Sequence, residues 1–467
     1  MAKTIIGLSD AEQEILNELV DQLAKKGRRN RIRTAYADGK RSARALSPML
    51  PPYLRNCGAV LGWPAKSVEA LSRRVRLNAF ALPGRELSEY GIDSLLDQNH
   101  YFEEVRLTEQ DSLTHAVAWE IATRGGPGEP DAVITSKSAL DGTGQWNKRS
   151  RRLDSFLSVI ERKNGEPTEF NLYFPGVTVM VSDGRVQDRS EHQLHVPVEP
   201  IAYRRSHERP FGHSRISRPV MFLTDAAVRA MLRMEGTADF YGTPHLLLLG
   251  ASLDQFSGAD GSAVSTWDFL MSKINGLPDD DGAMNARAQV HEVTQATQQP
   301  HMDSLDTIAA AFAGETNIPV SSLGVGVKQA NPTSADSYLA SREDLIADAE
   351  DTAASWGHGH VRTLQNAWLL ASGETELPDE LRKLRTVYRD PRHTSRAAAA
   401  DSTVKLIGAM PWLAESDAIL DAIGLDAGLV ERLRADKRRN VGRDVLNSLR
   451  AAAAPPEPVV EEDADRV

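Results

Sequence analysis

Two helical stretches, near residues 219–241 and 301–313, each carry an apolar stripe, and between them lies a segment dominated by Gly, Ser, Asp and Pro. In the first, a helix starting near Thr224 places Ala227, Met231, Leu232, Glu235 and Ala238 on one face. In the second, Met302, Leu305, Ile308, Ala309 and Phe312 form the stripe. A striped helix has to bury its apolar face, and a segment rich in turn formers cannot supply a core of its own. The pattern therefore predicts two packed helices bracketing a protruding excursion, about 250–300, with Asp279, Asp280 and Asp281 at its centre.

The 467 residues are 41% hydrophobic and 25% charged, which fits a folded chain of several parts. The longest strongly apolar run, Leu246 to Leu249, is far below the roughly 20 residues of a membrane span, so no membrane association is expected. Residues 1–7 show no apolar core of a signal peptide. A single cysteine, Cys57, suits assembly in a reducing cytoplasm. The net charge of −11 argues against a simple DNA-coating protein but suits one that surrounds DNA without gripping it. Charge is uneven, with a basic block over 25–44 and an acidic one over 457–465.

Along the chain, Ser9 and Glu12 read as a capping box, and Ile15, Leu16, Leu19, Val20 and Leu23 continue a helix that Lys25, Lys26 and Gly27 are expected to close. A helix is expected over 67–77, and another from Thr108 to about Arg124. Strands are expected at 132–135, 156–160, 170–174 and 177–181, the middle two joined by a hairpin at Asn164-Gly165. After an irregular stretch, 314–332, a long helix is expected from Ser334, interrupted near Gly357-His-Gly359 and continuing to Leu370. Helices are expected at about 378–388, 396–409, 414–423 and 426–449, then a disordered acidic tail over 451–467. The fold class is α+β, mainly helical.

The short motifs carry little chemistry. Gly142-Thr-Gly144 with Lys148 lacks the Gly-Lys-Ser/Thr ending of a phosphate-binding loop, and Gly324-Val-Gly326-Val-Lys328 lacks the third glycine of a dinucleotide site, so both are read as turns. Gly91-Ile-Asp-Ser-Leu95 resembles a phosphopantetheine attachment motif but is read as a helix turn burying Ile92, Leu95 and Leu96. His358 and His360 could offer two metal ligands, and the acidic triplet at 279–281 carboxylates, without a third ligand at a recognisable spacing. A helix-turn-helix pattern over 420–433, followed by Arg434, Lys437, Arg438 and Arg439, is read as a helical hairpin with a solvated basic face.

Several blocks together resemble the portal proteins of tailed bacteriophages, particularly long-tailed phages of actinobacteria. They are Tyr36-Ala-Asp-Gly-Lys40 with the helix around Val68 to Val75; Pro210-Phe-Gly-His-Ser-Arg-Ile-Ser-Arg-Pro-Val220 with Leu223-Thr-Asp-Ala-Ala227; Phe312-Ala-Gly-Glu-Thr-Asn-Ile-Pro319; and Asn331-Pro-Thr-Ser-Ala-Asp336 with Glu343. The first block departs from the usual aromatic-rich form at Ala37.

The resemblance implies an elongated subunit of a ring, usually of twelve copies, with wing, stem, clip and crown. By position, 1–215 is wing, 216–249 the first stem helix, 250–300 the clip, 301–320 the second stem helix and 321–333 a tunnel loop. The long helix then returns through the wing over 334–377, and 378–450 builds a helical crown. Ser321, Ser322, Lys328, Gln329 and Asn331 would face double-stranded DNA in the channel, and Asp279, Asp280 and Asp281 would dock a head–tail connector protein. The implied partners are the terminase large subunit, the connector, and capsid or scaffold protein. The implied location is the virion head vertex, after assembly in the host cytoplasm. Neither cofactor nor catalysis is expected. Two other readings are a metal-dependent nucleic-acid enzyme, using His358, His360 and the acidic triplet, and a DNA-binding regulator using residues 414–439.

Overall fold

A computed structural model of the chain describes residues 4–43, 46, 48, 50, 52–241, 246–249, 289–292, 297–325, 342–392 and 396–416, with scattered positions between 419 and 443. By internal contacts it divides into two units, Met1–Pro391 and Arg392–Val467.

The first unit opens with helix α1 (Asp10–Ala37), capped as expected: Ser9 accepts from the Glu12 amide while Glu12 accepts from the Ser9 amide. The helix does not close at Gly27. It runs ten residues further, because Asn30 and Tyr36 are buried and the Asn30 side chain donates to the Ala139 carbonyl at 3.3 Å. Tertiary contacts here override the stop signal, and the basic block rides on a continuous helix.

The buried side of α1, Leu16, Leu19 and Leu23, packs on a five-stranded antiparallel meander. Its strands are β4 (Gly142–Asn147), β5 (Arg152–Lys163), β6 (Glu166–Phe174), β7 (Val177–Ser182) and β8 (Arg185–Glu191). The hairpins at Asn164-Gly165 (φ 53° and 84°) and Asp183-Gly184 (φ 52° and 78°) have both central residues left-handed, the geometry that matches strand twist. Gly142 and Gly144 belong to β4 and not to a turn. A Cβ at Gly142 would sit 2.8 Å from both Trp119 and Phe156, so glycine is there for close approach.

A second sheet has the order β3 (Ala132–Ser138), β2 (Val117–Arg124), β9 (Val198–Ala202). The helix expected to reach Arg124 is α5 (Tyr101–His115), and it stops at Ala116, whose φ is +90°. Residues 117–122 are buried on both faces of β2: Trp119 packs on Phe156 of the five-stranded sheet, while Glu120 turns to Tyr101 and His360. A strand covered on both sides shows no alternation, which is why it reads as helix continuation.

Three short helices, α2 (Pro52–Asn56), α3 (Trp63–Ser72) and α4 (Ile92–Gln98), cover this body, and α4 buries Ile92, Leu95 and Leu96 while Ser94 stays exposed. Helix α6 (Arg218–Tyr241) lies antiparallel to α7 (Gln299–Thr316): Ser217 bonds Glu315 at one end, and Thr237 meets His301 at the other. Between them, β10 (Leu246–Leu249) pairs with β11 (Gln289–Glu292). Residues 250–288 and 293–296, most of the expected excursion, lie outside the described residues.

Helix α8 (Glu343–Ser372) passes through Gly357 and Gly359 unbroken, correcting the expected interruption. Both glycines are contact points. A Cβ on Gly357 would stand 2.5 Å from Thr386 Oγ1, and one on Gly359 would overlap Ile201 Cδ1. The helix expected at 378–388 is instead a 3-10 turn followed by strand β12 (Arg385–Tyr388), which pairs antiparallel with β1 (Leu77–Ala81). Residues 378–391 thus pack with the first unit.

In the second unit, α9 (Arg396–Ala409) occupies its expected span and is followed by a 3-10 turn, Pro411–Glu415. The helices expected over 414–449 fall largely outside the described residues, as does the tail.

Candidate functional site

Three of the blocks singled out in the sequence meet at one place, where α6 and α7 join the sheet-bearing body, while Asn331–Asp336 lies outside the described residues. Tyr36, ending α1, donates to Asp225 Oδ1 of α6 at 3.0 Å. Ser217 and Glu315 tie the start of α6 to the end of α7 at 2.9 Å. Trp63 packs on Phe312, with centroids 5.1 Å apart, inside a core that also holds Leu71, Ile216, Val220, Ala309 and Trp356.

At the centre of the junction lies Arg215, whose side chain is 3% exposed. Its Nε donates to the Ser67 carbonyl (2.7 Å), and its Nη1 to Asp348 Oδ2 (2.6 Å) and the Tyr203 hydroxyl (2.9 Å). Its Nη2 donates to the Thr316 carbonyl (2.5 Å). Asp348 also accepts from Tyr203 and pairs with Arg204 at 3.2 Å. Burial pushes the Tyr203 hydroxyl up to about 12, so it remains a donor. One guanidinium therefore joins α3, the approach to α6, the last turn of α7 and the first turns of α8. Gly212 shapes that approach: its φ is +71°, and a Cβ would collide with the Tyr203 carbonyl.

The segment leaving α7 starts directly from this clamp. Asn317 (φ 55°) ends the helix, and Val320–Leu323 forms a 3-10 turn closed by left-handed Gly324. Ser321 is exposed and Ser322 half-buried on that turn. Lys328, Gln329 and Asn331 lie outside the described residues, as do Asp279, Asp280 and Asp281.

The two histidines part company. His358 is exposed, whereas His360 is wholly buried between Glu120 (2.9 Å to Nδ1) and Glu109 (3.7 Å from Nε2). Burial alone would lower its pKa, but Glu120 and Glu109 outweigh that and hold it up at about 9. Tyr101 donates to Glu120 at 3.1 Å, and Tyr388 closes the same pocket. This is an enclosed ionic core, with the side chains of His360, Glu109 and Glu120 each at most 3% exposed. Among the described residues no group of three or more His, Cys, Asp and Glu is placed to hold a metal ion.

Sequence reasoning missed Arg215, Asp348 and Tyr203 as a unit. One signal was available: Asp348 stands in the apolar stripe of α8, between Leu345 and Thr352, where an acidic residue needs a buried partner.

The junction is architectural: one buried arginine locks a helical pair to an α+β body. The sequence matches the phage portal protein family, SPP1 Gp6-like, over residues 17–412, and the chain belongs to that family. The family is a structural component of the phage particle. Among curated proteins it is similar to the portal proteins of Mycobacterium phage L5 (24% identity; 80% of this chain and 78% of that one) and of Mycobacterium phage D29 (24%; 84% and 81%). Among solved structures it is similar to the neck of a native GTA particle with C12 symmetry, at TM-score 0.41 and 13% identity over 82% of this chain and 97% of that one. It is also similar to the virion of a native gene transfer agent, at TM-score 0.38 and 14% identity over 78% and 90%.

Proposed function

We propose that the chain is one subunit of a closed ring, of about twelve copies, at the head vertex of a tailed phage, and that DNA enters and leaves the head through this ring. Family membership over 17–412 carries the reading. In it, 1–215 is wing, α6 and α7 are the stem, residues near 250–300 the clip, 321–333 the tunnel loop and α8 the returning wing helix. The crown lies within 378–450, most of which falls in the second unit, Arg392–Val467.

Two features support this assignment. The exposed faces of α6 and α7 carry Phe222, Met231 and Met302, which are 64%, 40% and 41% exposed, apolar area that a neighbouring copy would cover in a ring. Arg215 holds both ends of the segment between α7 and α8, by Thr316 and by Asp348, giving a loop over 321–333 a fixed base. Ser321, Ser322, Lys328, Gln329 and Asn331 then line the channel, small and polar enough to let phosphates pass. Asp279, Asp280 and Asp281 dock the connector. The terminase large subunit supplies ATP hydrolysis, and capsid or scaffold protein binds during assembly in the host cytoplasm.

The test is the mass and rotational symmetry of the purified protein, by light scattering and electron-microscope class averages. Rings with a central hole and about twelvefold symmetry are expected; a stable monomer or dimer at high concentration overturns the proposal.

A further inference from the structure

Along the second half of α1 the chain presents cations that it does not answer. Lys25, Lys26, Arg28, Arg29 and Arg33 form one wall of a cleft of about 1510 Å³, whose other walls are β4, the start of β2 and the segment 208–218. Arg209 and Arg218 line it from that segment, and Glu208 is the one acidic residue in the lining. Among the described residues none of these seven cations is held in a salt bridge. The chain as a whole has 65 acidic residues against 54 basic ones, so the omission is local.

The cluster repels itself. Arg33 reaches Asn30 Oδ1 and the His115 carbonyl, both at 3.1 Å, and leaves its Nε buried without a partner. Burial, then the charges of Arg29 and Arg209, pull its pKa down to about 10. Like charges gathered in a partly enclosed cleft are relieved by an entering anion.

We propose that this cleft binds the phosphodiester backbone of double-stranded DNA, by charge and without reading bases. Arginine forks match phosphate oxygens in pairs. The cleft's three large aromatic rings are already engaged within the chain: Lys26 lies over Phe211 at 5.0 Å, Arg205 over Trp146 at 4.7 Å, and Trp119 is buried against Phe156 at 4.8 Å. Single-strand recognition by stacking is thereby disfavoured. Toward one wall, a single strand of a duplex presents one phosphate per roughly 3.4 Å of axis, whereas an extended acidic peptide, whose side chains alternate between faces, presents at most one carboxylate per roughly 6.6 Å. Phosphates thus answer seven crowded cations more fully. The cleft is built within Met1–Pro391 of a single chain, so the inference does not rest on ring formation.

The test is fluorescence anisotropy of full-length protein with a short labelled duplex of mixed sequence, titrated at several salt concentrations, with particle mass recorded alongside so that failure to form rings is read separately. Binding is expected to be indifferent to sequence and to fall with salt by about 0.9 log units per phosphate contact per log unit of salt. The Lys25→Glu/Arg29→Glu/Arg209→Glu variant should bind at least about tenfold more weakly and lose about three units of salt slope. The matching alanine triple should move the same way, which guards against a fold defect in the reversal. Arg432→Glu/Lys437→Glu, in the second unit, should bind like wild type. Wild-type binding by both cleft triples, or loss of binding only in the second-unit variant, overturns the proposal. So does displacement of the duplex by polyglutamate at equal charge concentration, which would assign the cleft to an acidic protein segment.

Discussion

Arg215 and Arg29 belong to the same unit and to opposite electrostatic regimes. Arg215 is buried, and every direction of its guanidinium is met by a carboxylate, a hydroxyl or a backbone carbonyl of this chain. Arg29 is exposed in a cleft where its nearest charged neighbours include Arg33 and other cations. A charge completed inside the chain fixes the fold; a charge left open among its own kind is set for something outside it. The same residue type therefore serves architecture in one place and recognition in the other, and sequence composition cannot distinguish them. What separates them is whether an acidic partner arrives from a distant segment: Asp348 does so for Arg215 from 133 positions away.

The largest test of this contrast removes one half of the buried pair. Arg215→Ala leaves Asp348 only the half-exposed Arg204 and the Tyr203 hydroxyl as partners, and Asp348→Ala leaves Arg215 buried without a carboxylate. Each should cost about 3–5 kcal/mol, seen as a lowered melting temperature. The double variant Arg215→Met/Asp348→Leu should recover a large part of that loss, because the main penalty is an unpaired buried charge. Equal loss in single and double variants would show that the hydrogen bonds to Ser67 and Thr316, and not charge pairing, hold the junction.

His360 tests an intermediate case, a buried cation that can give up its charge. Its folded pKa, about 9, lies above the ordinary 6.5 because Glu120 and Glu109 flank it. A group raised in this way stabilises the fold fully below about pH 6.5, and that contribution is lost as pH rises through about 9. Glu109, pushed up by burial, acts in the same sense: its proton is held more tightly in the fold, so stability falls as pH climbs above its ordinary value. The melting temperature should therefore decline between pH 6.5 and 9. His360→Gln should melt lower at neutral pH and show a flatter profile across that window. A wild-type profile flat from 6.5 to 9 would mean that the ring is neutral in the fold.

Local order was legible where one short segment decides it. The capping box at Ser9 and Glu12, the Asn164-Gly165 hairpin and the buried turn of Ile92, Leu95 and Leu96 depend on neighbours a few residues away. The stretches that resemble the portal family were legible too, and the described ones converge on one junction. Illegible were the features set by packing. β2 lacks alternation because both its faces are covered, and β12 is a strand only because β1 pairs with it. Gly357 and Gly359 look like breaks until Thr386 and Ile201 are seen against them. The clamp on Arg215 joins residues from four segments, so no window of sequence contains it.

The smallest expected effect completes the comparison. If the cations along α1 serve an external anion, reversing them should leave the fold intact. Lys25→Glu/Arg29→Glu should change stability by no more than about 0.5 kcal/mol, as exposed substitutions usually do. The sign should favour the variant at low salt, because the change relieves repulsion on Arg33, and the gain should fade as salt screens the cleft. Thermal melts of wild type and variant at low and high salt measure both. A loss comparable to that of Arg215→Ala would mean that α1 needs its positive charge to fold, and the distinction between answered and open cations would fail.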